Sequence, residues 1–128
     1  MKLWQAQYNM IWLILLVQLA AVLDVIPHDA YIHAVLGLGV VGLAFRNKLA
    51  LAKTQAPARL KRISAATASI TVMAAVTGIL LAIPPLHFLD TLWRVLHVLT
   101  IVAITTQAGS VATAYDMWEE KEFSPPSP

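Results

Sequence analysis

Four histidines are the side chains of this 128-residue sequence best suited to chemistry, because two of them interrupt long apolar segments. His33 lies in the stretch YIHAVLGLGVVG, and His97 lies in the stretch TLWRVLHVLT. An ionisable side chain inside a membrane-length apolar segment is costly, and it therefore indicates a functional site. His28 and His87 lie in or beside the short segments IPHD and IPPLHFLD, where a solvated interfacial histidine is the simpler interpretation.

The segments that must position these histidines have the composition of membrane spans. Hydrophobic residues make up 59% of the chain and charged residues only 12%, whereas a soluble domain carries about 25% charged residues. The charges are bunched, and the uncharged runs between them approach the roughly 20 residues that a helix needs to cross a bilayer. The sequence predicts an all-α membrane protein, an up-down bundle of four transmembrane helices near residues 8–26, 30–47, 63–83 and 90–114.

The charge distribution predicts the domain boundary and the orientation. Residues 1–115 form the predicted transmembrane domain, and residues 116–128 are acidic and then rich in proline and serine, which predicts a disordered cytoplasmic tail. Six of the nine Lys and Arg lie in the segment 46–62, and with four spans only Arg94 lies on the opposite side. The positive-inside bias then predicts a multi-pass protein of the cell membrane with both termini in the cytoplasm. Because the basic charge belongs to this loop, it does not indicate nucleic-acid binding.

Three glycines, Gly37, Gly39 and Gly42, reproduce the GxGxxG spacing of a dinucleotide-binding turn. That turn requires a strand before it and a helix that begins at it. Here the glycines lie in the middle of an apolar span, where small residues allow membrane helices to approach closely. We therefore interpret them as packing residues.

The two histidines within spans have the placement of a ligand pair. Both lie within about 6 Å of the outer ends of predicted helices 2 and 4, at 1.5 Å per residue. These helices are diagonal in an up-down bundle, so His33 and His97 can both face its centre, where bundles hold cofactors. Gly37 leaves a slot one turn below His33, and Arg94 lies one turn above His97, where it suits a propionate. The pattern predicts haem b with His33 and His97 as axial ligands of its iron, and with Gly37 and Arg94 in the binding site.

Two other interpretations of the histidines stay open. A copper or zinc ion at the outer face could take nitrogen ligands from all four histidines. Alternatively, His28 and His87 could form a second metal-binding site beside the haem. The histidines could also be structural, held by hydrogen bonds alone. A weak internal repeat, IPHDAYIHAVL against IPPLHFLDTLWRVLHVL, favours a pair of similar helical hairpins with the cofactor between them.

With its histidines in these positions, the chain resembles the compact, four-helix haem A synthases. The resemblance covers most of residues 8–115 and is carried by YIHAVLGLGVVGLAF, TVMAAVTGILLAIPP and LHVLTIVAITTQAGSVATAY. It implies a haem-modifying oxidoreductase, or a related b-type membrane cytochrome, with His33 and His97 as ligands. The family has a glutamate three residues before its first ligand histidine, where this sequence has Ala30. The neighbouring Asp29 is therefore the candidate catalytic acid.

Several functions are compatible with this pattern. A haem-modifying oxidoreductase would favour a homo-oligomer, because one four-helix unit has room for about one porphyrin. An electron-transfer b-type cytochrome would need a quinone or a respiratory-chain component as its partner. A small transporter, or an accessory subunit of a respiratory complex without haem, is the alternative of a different class. A transporter would need an acidic residue deep in a span, and the sequence has none there.

Overall fold

A computed structural model describes residues 1–27, 30–83 and 88–123 of the chain. These ranges contain four α-helices and no strand: α1 (Leu3–Val22), α2 (Ala30–Ala52), α3 (Ala58–Ala82) and α4 (Asp90–Phe123). All four helices are long and apolar enough to cross a membrane. The predicted all-α fold of four membrane-length helices is confirmed.

The helices form an up-down bundle in which each helix packs against its neighbours in chain order and α4 closes the bundle on α1. The contact between α3 and α4 is the most extensive, and that between α1 and α4 is the smallest. Consequently α1 faces α3, and α2 faces α4, across the two diagonals. We name the end that carries both chain termini the terminal end. The opposite end, reached by the connections after α1 and after α3, is the histidine end.

The first helix lies closer to the start of the chain than predicted. It spans Leu3–Val22 rather than residues 8–26. Asp24 follows it with a φ of 55°, in the left-handed region, which ends a right-handed helix and which Asp tolerates better than most residues. The apolar side chains of residues 23–26 therefore belong to the connection rather than to the helix.

The last helix is longer than predicted. It continues to Phe123, so residues 116–123 are helical and the prediction of a disordered tail was wrong for them. Residues 124–128 lie outside the described residues. The extension is held by the start of the chain, because Lys2 forms ion pairs with Asp116 and Glu119. Trp118 also packs against Tyr115, with ring centroids 5.3 Å apart.

Asp116 is the anchor of this extension and lies beyond the predicted span of residues 90–114. It is 26 residues after the start of α4, about 39 Å along the helix, whereas the hydrocarbon core is about 30 Å thick. Lys2 Nζ lies 3.1 Å from Asp116 Oδ1, and Gln5 Nε2 donates to Asp116 Oδ2 at 2.8 Å. Burial raises the pKa of the Asp116 carboxyl, but the hydrogen bonds from Lys2 and Gln5 outweigh it and hold the pKa below its ordinary value.

The interior of the bundle is made of small and polar side chains. Seven polar residues of the described ranges are buried: Gln7, Asn47, Ser64, Thr67, Thr71, Thr77 and Thr100. Threonine hydroxyls donate to backbone carbonyls of their own helix, as Thr71 does to Ala68 at 2.7 Å. Many large apolar side chains face outwards instead, such as Leu38 and Val102. This distribution suits a lipid surrounding, which cannot satisfy polar groups.

Packing loosens towards the histidine end. The terminal end holds a buried apolar cluster, which includes Trp4, Leu51, Leu60, Val111 and Tyr115. The described residues nearest the histidine end are residues 15–27, 30–39, 78–83 and 88–99. None of them is buried. The two histidines within the spans therefore lie in the open part of the bundle.

The glycines of GxGxxG all lie inside α2, so they form no strand-to-helix turn. An added Cβ at Gly39 would lie 2.5 Å from Met10 Cε, which confirms close packing of α2 on α1 at that position. At Gly37 and Gly42 an added Cβ would meet no described atom within 4 Å. The prediction that all three are packing residues was therefore wrong for Gly37 and Gly42.

Candidate functional site

The rings of His33 and His97 meet across a diagonal of the bundle. Their centroids are 6.2 Å apart and their planes are inclined by 56°. The helices that carry them, α2 and α4, do not pack directly on each other in the described ranges, so the two side chains bridge the space between them. Both side chains are partly buried. The structure thus brings together, at one level, the two residues that the sequence predicts as a ligand pair.

Helix α3 fixes the ring of His97. The Nδ1 atom of His97 lies 2.9 Å from the carbonyl oxygen of Ala74 and 3.0 Å from the hydroxyl of Thr77. A carbonyl oxygen only accepts, so Nδ1 carries the proton and donates it, and Nε2 of the neutral ring carries the lone pair. Gly78 lets the ring lie against α3, because an added Cβ would be 3.2 Å from Cε1 of His97. His97 is therefore held in the tautomer that can bind a metal through Nε2.

Helix α1 holds the ring of His33 through Gln18. The amide nitrogen of Gln18 lies 2.5 Å from Nδ1 of His33. A half-turn of the amide exchanges its nitrogen and oxygen without moving any other atom. With the oxygen towards the ring, Nδ1 donates and Nε2 carries the lone pair; with the nitrogen towards the ring, Nδ1 accepts and Nε2 is protonated. The orientation of the Gln18 amide therefore selects the tautomer of His33.

The two helical hairpins position their histidines in the same way. In each hairpin the first helix binds Nδ1 of the histidine on the second, through Gln18 in one case and through Ala74 and Thr77 in the other. None of these three positioning residues is among the site residues predicted from the sequence. Gln18 has a signal, since it is the only amide, hydroxyl or charged side chain between Asn9 and Asp24. Thr77 is one of many threonines, and Ala74 acts through its backbone, so no sequence signal marks either.

The two glycines near the histidine pair differ in their surroundings. Gly37 lies one turn from His33 on α2, and an added Cβ there would meet no described atom within 4 Å. By contrast, an added Cβ at Gly78 would be 3.2 Å from Cε1 of His97. The slot for a cofactor beside Gly37 stays a prediction.

Arg94 lies at the edge of this region. Its Nη2 atom is 2.7 Å from Oδ2 of Asp90, one turn earlier on α4. The Arg94 side chain is 69% exposed, so the pair lies on the bundle surface and stabilises the fold by about 1 kcal/mol at most. The sharing of Asp90 by Arg94 is present as predicted. The contact of Arg94 with a haem stays a prediction.

The remaining candidate residues, His28, Asp29 and His87, lie outside the described residues. The second metal site and the catalytic carboxylate therefore stay predictions. The described part of the chain contains no group of three or more His, Asp or Glu side chains that could hold a metal ion. A metal held by described side chains at the histidine end would take two protein nitrogens, from His33 and His97, and its other ligands from a bound group.

A second set of polar contacts, which the sequence analysis did not identify, lies towards the terminal end. Asn47 Nδ2 donates to Gln7 Oε1 at 2.6 Å, and these side chains are only 1% and 3% exposed. Thr67 and Gln107 form a similar contact of 3.0 Å between α3 and α4. These hydrogen bonds join neighbouring helices, as polar side chains do within membrane proteins.

No family model, curated protein sequence or solved structure matches this chain. The resemblance to the haem A synthases accordingly stays a prediction, carried by helix topology and histidine position.

Proposed function

We propose that this protein is a multi-pass membrane protein that binds haem b, with His33 and His97 as axial ligands. The distance between the two rings supports the proposal. Metal–nitrogen bonds of about 2 Å on each side, with about 1 Å from each nitrogen to its ring centre, add up to about 6 Å. The ring centroids of His33 and His97 are 6.2 Å apart.

The hydrogen bonds at Nδ1 support a ligand role over an ordinary interior histidine. Histidines that bind a metal nearly always donate their other ring N–H to a carbonyl, a carboxylate or water. His97 does so to the carbonyl of Ala74 at 2.9 Å, and Gln18 can accept from His33 in the same way. These contacts fix the rotation of each ring.

The surroundings favour haem over a bare ion. Zinc takes four protein or water ligands in a tetrahedral arrangement, whereas His33 and His97 offer two nitrogens. A porphyrin supplies the other four nitrogens itself. It also needs space between helices, and the absence of buried residues among those described at the histidine end and the lack of atoms within 4 Å of an added Cβ at Gly37 are compatible with that.

Ligation by two histidines favours electron transfer as the activity. When bound, the haem supplies an iron that cycles between its ferric and ferrous states. Both axial positions would be taken by the protein, which leaves none for oxygen. The haem-modifying alternative needs a catalytic acid, and its candidate, Asp29, lies outside the described residues. We therefore infer a b-type cytochrome that exchanges electrons with a quinone or another respiratory-chain component.

The decisive experiment is the absorption spectrum of the purified protein, oxidised and then reduced with dithionite. We expect a low-spin b-type haem at about one per chain, as one four-helix core can hold. His33→Ala and His97→Ala should each abolish the low-spin spectrum, while His87→Ala, outside the proposed ligand pair, should retain it. Protein without haem from cells supplied with haem precursors would contradict the proposal. So would an unchanged spectrum in either ligand variant.

We also infer that the terminal end faces the cytoplasm, because six basic residues lie there against Arg94 at the histidine end. The chain has no cysteine, so single cysteines can report its orientation. Gln55→Cys, at an exposed position of the terminal end, should resist a membrane-impermeant thiol reagent added to intact cells. Val25→Cys, exposed at the histidine end, is the matched control and should react. The reverse pattern would place the histidine pair on the cytoplasmic side.

A further inference from the structure

The hairpin of α2 and α3 carries a strong positive charge at the terminal end. This charge has no role in the proposed electron transfer. From Ala30 to Leu89 the chain has no Asp or Glu. The same segment carries six basic residues within 17 positions, which we name the basic hairpin: Arg46, Lys48, Lys53, Arg59, Lys61 and Arg62.

The basic hairpin has no counter-charge of its own. Across the described ranges, ion pairs are formed by Lys2 and Arg94, and none is formed by these six residues. Five of the six are exposed, and only Lys61 is partly buried. Lys61 Nζ donates to the carbonyl oxygen of Thr54 at 2.7 Å, near the end of α2. The other five have no ion-pair partner among the described residues, so their charges are open to groups outside the chain.

These charges lie beside lipid rather than beside a soluble surface. Lys48 Nζ is 5.9 Å from the ring centroid of Phe45. Phe45 and Leu49 are 40% and 61% exposed, and exposed apolar side chains on a membrane helix face lipid. The ammonium group of Lys48 is thus held next to the acyl-chain boundary.

The depth of the basic residues matches the headgroup layer. Arg46 lies six residues before the end of α2, and Arg62 lies four residues after the start of α3. At 1.5 Å per residue these positions are about 9 Å and 6 Å from the helix ends. Each headgroup layer of a bilayer is about 5–8 Å thick. Long side chains that start slightly deeper extend their charged ends back into that layer.

We propose that the basic hairpin binds the headgroups of anionic phospholipids in the leaflet that faces the terminal end. Clusters of four to eight Lys and Arg next to a membrane helix attract anionic headgroups, and guanidinium groups pair with phosphate through two hydrogen bonds. The extension of α4, which lies diagonal to α2, carries Asp116 and Glu119, both paired with Lys2, and also Glu120 and Glu122, whose charges repel the same headgroups. Anionic lipid therefore collects on the α2–α3 side of the protein and not around its whole circumference.

The test uses the purified full-length protein in nanodiscs that contain equal parts of phosphatidylglycerol and phosphatidylcholine. Native mass spectrometry after delipidation measures which lipid stays bound. We expect phosphatidylglycerol to be enriched at low salt, and each Lys or Arg removed to lower the enrichment by up to about fivefold. The enrichment should fall at 1 M salt, where charge interactions are screened within about 3 Å.

Arg59→Gln/Arg62→Gln and Arg46→Gln/Lys48→Gln are the test variants. Lys121→Gln removes an exposed positive charge at the same end but outside the hairpin, so it is the matched control and should keep the enrichment. Arg59→Lys/Arg62→Lys should keep most of it. Circular dichroism of each variant checks helix content, and if a double variant does not fold, the salt titration of the unmodified protein and the single variants give the result.

Equal retention of the two lipids by the unmodified protein would overturn the proposal. So would undiminished enrichment in both glutamine variants. Self-association that is lost in the glutamine variants, without any lipid preference, would show that the acidic extension of a second copy supplies the counter-charge, and this too would overturn it. The measurement does not depend on haem, so its outcome is independent of the proposed electron transfer.

Discussion

The two ends of the bundle are held together by different interactions. At the terminal end, Trp4 packs on Tyr115 with ring centroids 4.0 Å apart, and a buried hydrogen bond joins Gln7 to Asn47. Lys2 adds ion pairs between the start and the last part of the chain. At the histidine end, the described residues of the last turns are not buried, and the polar contacts converge on two imidazole rings.

The difference in packing indicates that the terminal end contributes most of the stability, whereas the proposed ligand site lies at the less stable histidine end. A region with few buried contacts has low local stability, and such regions are where ligands bind and structure adjusts. The terminal end supplies enough packing to hold four helices together while the histidine end stays open. In a fold of this size, a cofactor that fills the open end would then contribute stability of its own by binding only the folded state.

The largest effect on stability is expected from the buried amide pair of the terminal end. Asn47→Leu removes one partner and leaves the Gln7 amide buried without it, which costs about 1–3 kcal/mol. The unfolding midpoint in detergent, followed by circular dichroism, should therefore fall clearly, whereas haem content should hardly change. His33→Leu, at the open end, should instead lower the haem content, and in haem-free protein it should hardly change the midpoint.

A double variant sharpens this comparison. In Gln7→Leu/Asn47→Leu both polar groups are replaced by apolar ones, so the unfolding midpoint should recover most of the loss. The difference between the double variant and the sum of the single variants measures the coupling of the two side chains. If Asn47→Leu lowered the midpoint no more than His33→Leu, the two ends would not differ in stability as their packing indicates.

A smaller effect, on the cofactor and not on stability, is expected at Gln18. Gln18→Glu places a carboxylate at Nδ1 of His33 and increases the electron donation of the ring, which should lower the reduction potential of bound haem. Gln18→Leu should weaken haem retention, because the ring loses its hydrogen-bond partner on α1. Redox titration and haem loss to an acceptor protein measure the two effects.

Thr77→Val is the matched variant on the other hairpin. It removes one contact of His97 but leaves the carbonyl of Ala74, so its effect should be smaller than that of Gln18→Leu. Equal retention of haem in Gln18→Leu and the unmodified protein would mean that α1 does not position His33.

Some features of the structure are predictable from the sequence and others are not, because they depend on different interactions. The four spans depend on runs of uncharged residues, and the depth of His33 and His97 depends only on the helical rise, so both follow from local sequence. The extension of α4 depends on Lys2, which is 114 residues away from Asp116. Read locally, the acidic segment predicts disorder, and only the bundle brings its counter-charge close.

The contact between Gln18 and His33 shows the other limit. It depends on the rotation of α1 about its axis, which a nearly uniform apolar helix does not specify. Gly37 and Gly39 make the same point, because both fit a small-residue packing pattern although only Gly39 contacts the neighbouring helix. The existence of the helices is therefore predictable here, and the rotation of α1 is not.

The smallest effect is expected from Arg94, which lies at the edge of the histidine end. A cation near the haem disfavours the more positive ferric iron, so its removal in Arg94→Ala should lower the reduction potential. The shift should be modest, because the Arg94 side chain is 69% exposed and its charge is partly balanced by Asp90 at 2.7 Å. Arg94→Ala should also weaken haem retention, because a haem propionate would lose a bidentate hydrogen-bond partner.

Arg94→Lys separates charge from geometry at this position. Lysine supplies the positive charge without the planar fork of arginine, so it should restore the potential more fully than the retention of haem. Asp90→Asn is the matched control, since it frees Arg94 from its partner and should raise the potential slightly. A midpoint potential that does not move in Arg94→Ala, or that rises, would show that Arg94 and Asp90 form only a surface pair. The proposed haem would then be held by its ligands His33 and His97 and by contacts from α1, α2 and α3, without a contribution from Arg94.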